Sequence, residues 1–489
     1  MLQRTGRKKG RRYIKALQYA PKGGIAAILK GANIVMKRKL TMKETIVVAS
    51  TLFGMFFGAG NLIFPVHLGQ MAGSNSWPAI LGFCITAVTI PILAVAAIGN
   101  THSDNLMELS NKVSGWYGRL FTAVLYLTIG PFFAIPRCAS VSFTTGLAPI
   151  VGESHFKLWQ LIFTFIFFAL VMYFSLRPGK ITTWIGRVIN PLFLLFLGIL
   201  ILVALINPGA PMSEVEPVEA YRSGALFNGL IEGYGTMDAI AGLAFGIVII
   251  NVIRDLGVDK DSDVARETLK AGVFAGILMF IIYMLTIIIG AQSRGLFDVS
   301  DNGGIALTQI SGHYLGSIGS LVLALTITFA CLKTAIGLVT SCGEMFVKLV
   351  PGKLNYRGWA MFFTLFSFIV SNVGLTAIIN YAVPVLMLLY PLVTVLIIMA
   401  LCEKLFGKSK YVYGLVTLGA FIPAVFDFCK TLPEGVQNAL HIPAMTELGR
   451  SIFPFFDIGL GWVVPALTGL VIGLVLTVAM RGKDKKAAA

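Results

Sequence analysis

Charge is scarce in this chain of 489 residues: only 13% are Asp, Glu, Lys or Arg. A soluble globular domain carries about twice that share, so a water-exposed surface over most of the molecule is excluded. Cysteine is equally sparse. The six, Cys84, Cys138, Cys331, Cys342, Cys402 and Cys429, form no C-x-x-C pair and fall in or at the ends of apolar runs, which argues against a disulfide framework or a thiolate metal site. The five histidines, His67, His102, His155, His313 and His441, lie at run ends or in loops. None is spaced i, i+4 with a carboxylate between, so no metal role is assigned beyond a possible sodium site. No H-E-x-x-H, G-x-S-x-G or paired-acid motif occurs in an apolar run, which speaks against a membrane-embedded enzyme.

What is present is hydrophobicity: 56% of residues, with a mean hydropathy of +0.82. A helix needs about 20 apolar residues to cross hydrocarbon. Runs of that order fall at 45–67, 78–99, 119–148, 158–176, 188–206, 224–252, 268–291, 315–347, 358–372, 375–402, 411–429 and 459–480. The pattern predicts an all-α polytopic membrane protein with twelve transmembrane helices. Loop charges support the count, because Lys and Arg collect in short cytoplasmic loops. Loops after even-numbered spans carry Lys112 and Arg119, then Arg177, Lys180 and Arg187, and so on to Lys404, Lys408 and Lys410. Loops after odd-numbered spans hold few cations among acids such as Glu153, Glu214, Glu216 and Asp298. Both termini are therefore expected in the cytoplasm.

Residues 1–43 form an arm rich in Lys and Arg with no acid. It holds only two aromatics, Tyr13 and Tyr19, so orientation and lipid headgroup contact account for it better than nucleic acid. Its length ahead of the first span, with no small-residue cleavage site after that span, does not suit a cleavable signal peptide. The stretch "MKRKLTMKET" from Met36 supplies orienting charge by itself, and residues 1–35 are expected to be a translated leader or an overlong reading frame. The remaining divisions are 44–206, 207–403 and 404–489, two five-helix halves followed by two further helices.

The first span contains "FGMFFGAGNLIFP", Phe53 to Pro65. Gly54 and Gly58 alone would equally allow close helix packing. Gly60, Asn61 and Pro65 in the following turns argue for a break, and a break at mid-membrane persists only where it lines a cavity or binds something. Five spans later "EGYGTMDAIAGLAFG", Glu232 to Gly246, is also punctuated by glycine and carries Asp238 and Glu232. Ionisable groups inside a span default to function; Asp238 lies nearer the middle, and Glu232 equally suits a wetted vestibule. Two interrupted spans in corresponding positions of two five-helix halves point to an inverted repeat with its site at the midplane. A free helix N-terminus attracts an anion and a free C-terminus a cation. An amino acid zwitterion has one of each. Its carboxylate would take the amides of Ala59, Gly60 and Asn61, beside Gly58. Its ammonium would take carbonyls near Phe57 and near Tyr234, Gly235, Thr236 and Asp238. A side chain at Gly60 would point at the carboxylate.

These residues resemble the branched-chain amino acid:cation symporters, the BrnQ family of bacteria. The likeness rests on "LFGMFFGAGNLIFPVHLGQMAG", "GYGTMDAIAGLAFG" and "CLKTAIGLVTSCGEMF" in that order and covers residues 36–481. It implies a LeuT-like 5+5 inverted repeat with helices 1 and 6 broken, in the bacterial plasma membrane. It also implies import of leucine, isoleucine and valine coupled to H+ or Na+, with no other cofactor. Other small zwitterions or nucleobases are the alternative cargo on such a fold, and a channel is a poor fit. By the same resemblance, carbonyls of Gly54 and Phe57 would face one cation site, Asn61 another, and the Ala59 and Gly60 amides the carboxylate. One position departs from the sodium-coupled pattern. Where small hydroxyl residues are expected on helix 8, the sequence has Lys333 beside Thr334. An ammonium there would stand in the sodium's place, unless Lys333 snorkels or pairs with a carboxylate. Arg137, between Pro136 and Cys138 in span 3, reads as a structural partner for an acid or a carbonyl cluster.

Overall fold

In the computed structural model, residues 39–101, 103, 105–151, 155–177, 181–258, 260–440 and 442–487 are described. The arm up to Arg38, together with His102, Glu153, Lys180 and His441, lies outside them, as do the side chains of 181–193 and 481–487. The described residues contain helices and no strand.

Span 1 is cut in two. Helix α1, Met42–Phe56, begins with a capping box: the Glu44 amide donates to Thr41 Oγ1 and the Thr41 amide to Glu44 Oε2. It ends at Phe57, whose extended backbone (φ −72°, ψ 102°) turns the chain out of the helix. Helix α2, Gly60–Ala72, resumes three residues later and contains Pro65, whose missing N–H leaves the Asn61 carbonyl without its helical donor. Span 2 is α3, Ser76–Cys84, a π-turn over Ile85–Thr89, and α4, Ile90–Asn100. Span 3 is α5, Gly115–Leu127, and α6, Ala134–Gly146, joined across non-helical Gly130 ahead of Pro131.

Then follow α7, Phe156–Ser175, and α8, Ile181–Ile206. Span 6 is also interrupted: α9, Ala225–Glu232, passes through a 3-10 turn over Gly233–Thr236 and left-handed Met237 (φ 64°) into α10, Asp238–Asp255, with a bend of 44°. The long helices that follow are α11, Asp261–Gln292; α12, Gly303–Leu349, kinked at Gly316; α13, Tyr356–Ser371; α14, Leu375–Leu401; α15, Lys410–Lys430; and α16, Val463–Ala487.

A helix or broken helix thus stands at each position expected from hydropathy. By length and composition, eight described helices could cross a membrane, or nine with the bent pair as one span. The 15 residues of α1 and 16 of α13 fall short of a bilayer's thickness on their own. Outward faces are apolar: Phe165, Leu202 and Val475 are 63%, 60% and 62% exposed, as suits lipid contact. Inside, α2 packs on α11 and α12, α6 on α12, and α9 on α3. The last pairing is a backbone contact. A Cβ at Gly82 would lie 1.8 Å from the Leu226 carbonyl oxygen, and one at Gly229 2.2 Å from that of Ala79, so only glycine permits the approach. Thr86, in the π-turn, donates its hydroxyl to the Leu230 carbonyl (2.8 Å). That bond ties the end of α9 to span 2 and sets the broken end of span 6 against span 1.

Candidate functional site at two helix breaks

The break in span 1 is organised by Asn61. Its Oδ1 accepts from the Gly58 amide (2.9 Å), closing the loop that α1 leaves. Its Nδ2 donates to Asp238 Oδ2 (2.5 Å) and to the Tyr283 hydroxyl (2.5 Å). Tyr283, on α11, in turn donates to Asp238 Oδ2 (3.5 Å). Asn61, Asp238 and Tyr283 are all buried, and this triad joins the two breaks directly. Ala59 and Gly60 are buried beside it. The amides of Ala59, Gly60 and Asn61 have no hydrogen-bond partner among the described residues, whereas those of Leu62 and Ile63 donate to the Ala59 carbonyl. The start of α2 therefore presents open donors, the condition for anion binding at a helix N-terminus. Phe57 is half-buried, its ring stacked on Phe53 (4.8 Å) and facing Tyr283 (6.4 Å).

The break in span 6 is differently filled. Tyr234 stacks on Tyr390 of α14 with ring centroids 4.0 Å apart. Thr236 Oγ1 donates to the Gly233 carbonyl (2.9 Å) and accepts from the Asp238 amide (3.4 Å). The Tyr234 carbonyl is taken by the Met237 amide, that of Gly235 by Arg137 Nη1 (2.6 Å), and that of Thr236 is approached by Arg137 Nη2 (3.5 Å). Arg137 is thus the partner of a carbonyl cluster, as its place in span 3 suggested. The carbonyls expected for an ammonium are engaged within the protein, which leaves the Asp238 carboxylate as the acceptor on this side. A Cβ at Gly60 would meet Arg137 Nη2 at 2.8 Å.

Lys333 lies on α12 with Nζ 3.2 Å from the Gly54 carbonyl, in the last turn of α1. It pairs with a carbonyl, with no carboxylate within 4.0 Å among the described residues, because the end of α1 offers orphan carbonyls to a cation. Thr334 sits against the break, its Oγ1 3.6 Å from a Cβ built on Gly58, while its hydroxyl donates to Ala330 of its own helix (3.1 Å). Gly54, Lys333 and Thr334 line a cavity of about 430 Å³ with Phe245, Ser341 and Glu344.

Three residues here escaped the sequence reading. Tyr283 and Tyr390 are aromatic residues in apolar runs, and no local signal marks them. Asp427 of α15 did carry one, an acid within a span. It is fully buried, and neither carboxylate oxygen has a hydrogen-bond partner among the described residues. Glu232, the last residue of α9, is half-buried.

Comparison with known proteins places this architecture. The profile of a family described as branched-chain amino acid transport protein matches residues 41–480. The chain is 49% identical over 431 residues to the branched-chain amino acid permease BrnQ of Lactobacillus delbrueckii subsp. lactis, covering 88% of this chain and 96% of that protein. It is 39% identical over 443 residues to the permease BraB of Bacillus subtilis (strain 168), covering 90% and 97%. Among solved structures, the inward-facing conformation of Mhp1 superposes with a TM-score of 0.55 at 13% identity, over 86% of this chain and 96% of that one. MhsT in complex with L-phenylalanine gives 0.52 at 15%, over 89% and 100%. Those structures establish a LeuT-type fold. With two broken helices joined by Asn61 and Asp238, and with relatives that are permeases rather than enzymes, this multi-pass membrane protein belongs to the branched-chain amino acid transport protein family.

Proposed function

We propose that the protein imports leucine, isoleucine and valine by symport with a cation, by alternating access about the two breaks. The observation that carries this is the buried junction of Asn61 with Asp238, which sets open amides of one broken helix beside a carboxylate of the other. In this proposal the substrate carboxylate binds the amides of Ala59, Gly60 and Asn61, Gly58 lets it approach, and the ammonium turns toward Asp238 beside Tyr234, Gly235 and Thr236. Phe57 and neighbouring apolar side chains receive the aliphatic chain. The membrane is the bacterial plasma membrane, with both termini cytoplasmic, as the loop charges suggest.

The proton is the proposed coupling ion. A sodium at the Gly54 carbonyl would stand about 4 Å from the Lys333 ammonium, and like charges at that distance repel by about 4 kcal/mol at an effective dielectric of about 20. Lys333 already supplies the positive charge the end of α1 accepts. A lysine in such a place can couple transport by releasing and regaining its proton. The substrate assignment is tested by counterflow of labelled leucine in proteoliposomes with unlabelled competitors. Isoleucine and valine should trans-stimulate as leucine does, and a nucleobase should not. Stimulation by nucleobases and none by branched-chain amino acids would overturn it.

A further inference from the structure

The guanidinium of Arg137 is buried, 5% exposed, between the two breaks. It reaches there because span 3 is bent at Gly130 before α6 begins, and Arg137 lies in the first turn after the bend. One side of the guanidinium meets the carbonyls of Gly235 and Thr236. Its Cζ stands 5.3 Å from the centroid of the Phe64 ring, and Nη2 abuts Gly60, at the open N-terminus of α2.

Arginine has five N–H donors, and these two carbonyls occupy one through each terminal nitrogen. No Asp or Glu oxygen comes within 4.0 Å of it among the described residues. Asp238 stands on the same break, but its Oδ2 is held by Asn61 and Tyr283. A buried charge without a direct counter-ion is costly unless something compensates it.

We propose that Arg137 receives the carboxylate of the transported amino acid, together with the open amides of α2, so that Arg137 and Asp238 form a receptor for a zwitterion. This rests on the proposal above that an amino acid occupies the two breaks. One buried cation and one buried anion match the two ends of the substrate, and the loaded site gains no net charge. The planar guanidinium suits a carboxylate, accepting it through parallel N–H bonds that a lysine ammonium does not offer. The contact also links binding to motion, because the same guanidinium holds the span 6 turn. A substrate drawing on it would pull the two breaks together.

The test compares leucine with leucinamide, which keeps the ammonium and the side chain but has no carboxylate, at about pH 6, where its amine is protonated. Binding of tritiated leucine to the purified full chain is measured with each as competitor. The wild type should prefer leucine. Arg137→Gln should weaken leucine at least tenfold, leave leucinamide within about twofold and so abolish the preference; Arg137→Lys should fall between. A parallel loss of both ligands would show that Arg137 only holds the span 6 turn, and no loss would remove it from the site; either result overturns the proposal. Should Arg137→Gln fail to fold, Gly60→Ala, whose Cβ would displace Nη2, decides in the same way: selective loss of leucine supports the proposal and parallel loss overturns it. Wild-type protein that binds no leucine refutes the transport proposal itself. Wild-type protein that binds leucine and leucinamide equally refutes reception of the carboxylate by Arg137 and by the open amides alike, while leaving leucine transport itself standing.

Discussion

The breaks in spans 1 and 6 interrupt equivalent helices but are finished differently. In span 6 a local hydroxyl, Thr236, serves both the Gly233 carbonyl and the Asp238 amide, and Arg137 from span 3 covers the carbonyls of Gly235 and Thr236. Little is left for a ligand except the Asp238 carboxylate. In span 1, Asn61 closes the loop from within and Lys333 from span 8 takes the Gly54 carbonyl, while three amides at the start of α2 remain open. A helix break in a membrane must satisfy its backbone, and the groups left unsatisfied mark where a ligand goes. On that basis the proposed substrate is received by span 1 and answered by span 6. In each break a cation from a distant span replaces hydrogen bonds that the helix gave up.

This difference can be broken by substitution. The largest effect is expected from Gly60→Leu, which drives a side chain into Arg137 and over the open amides. Leucine binding should be lost while the protein still inserts, as read by chromatographic homogeneity and tritiated-leucine binding; normal binding would show that the open amides receive nothing. Next in size is Asn61→Ala, which leaves the Gly58 amide without a partner and the Asp238 carboxylate with only the longer bond from the Tyr283 hydroxyl. Unmet buried polar groups cost about 1–3 kcal/mol each, so both uptake and thermal stability should fall. The loss should be independent of cation concentration, because Oδ1 is engaged as a cap; rescue by raising sodium or proton concentration would instead assign Asn61 to ion coordination. The smallest effect on binding is expected from Lys333→Thr, which frees the Gly54 carbonyl without touching the amides of α2. Leucine exchange should stay within about threefold of wild type, while accumulation driven by a proton gradient disappears and sodium dependence emerges. Loss of exchange along with accumulation would place Lys333 in substrate binding.

Much of this was legible in the sequence because a break needs particular residues near one another. Gly58, Gly60 and Asn61 mark the first within four positions, and Gly233, Gly235 and Asp238 mark the second. A lysine or arginine in an apolar run is visible for the same reason, so Lys333 and Arg137 could be singled out before their partners were known. The partners themselves could not be read. That Lys333 meets a carbonyl rather than a carboxylate, and that Arg137 consumes the carbonyls expected for an ammonium, depends on how spans 3 and 8 pack against the breaks. Tyr283 is one of many aromatics in apolar runs, and only its place on α11 opposite Asn61 distinguishes it.

The most direct test concerns the coupling ion proposed from the Lys333–Gly54 contact. Wild-type protein is reconstituted into sodium-free proteoliposomes, and accumulation of labelled leucine is followed under an imposed inward proton gradient. Accumulation above the external concentration, abolished when the gradient is collapsed, is the expected result. Accumulation that requires an inward sodium gradient and ignores the proton gradient would contradict the placement of Lys333 as the resident cation of the first break.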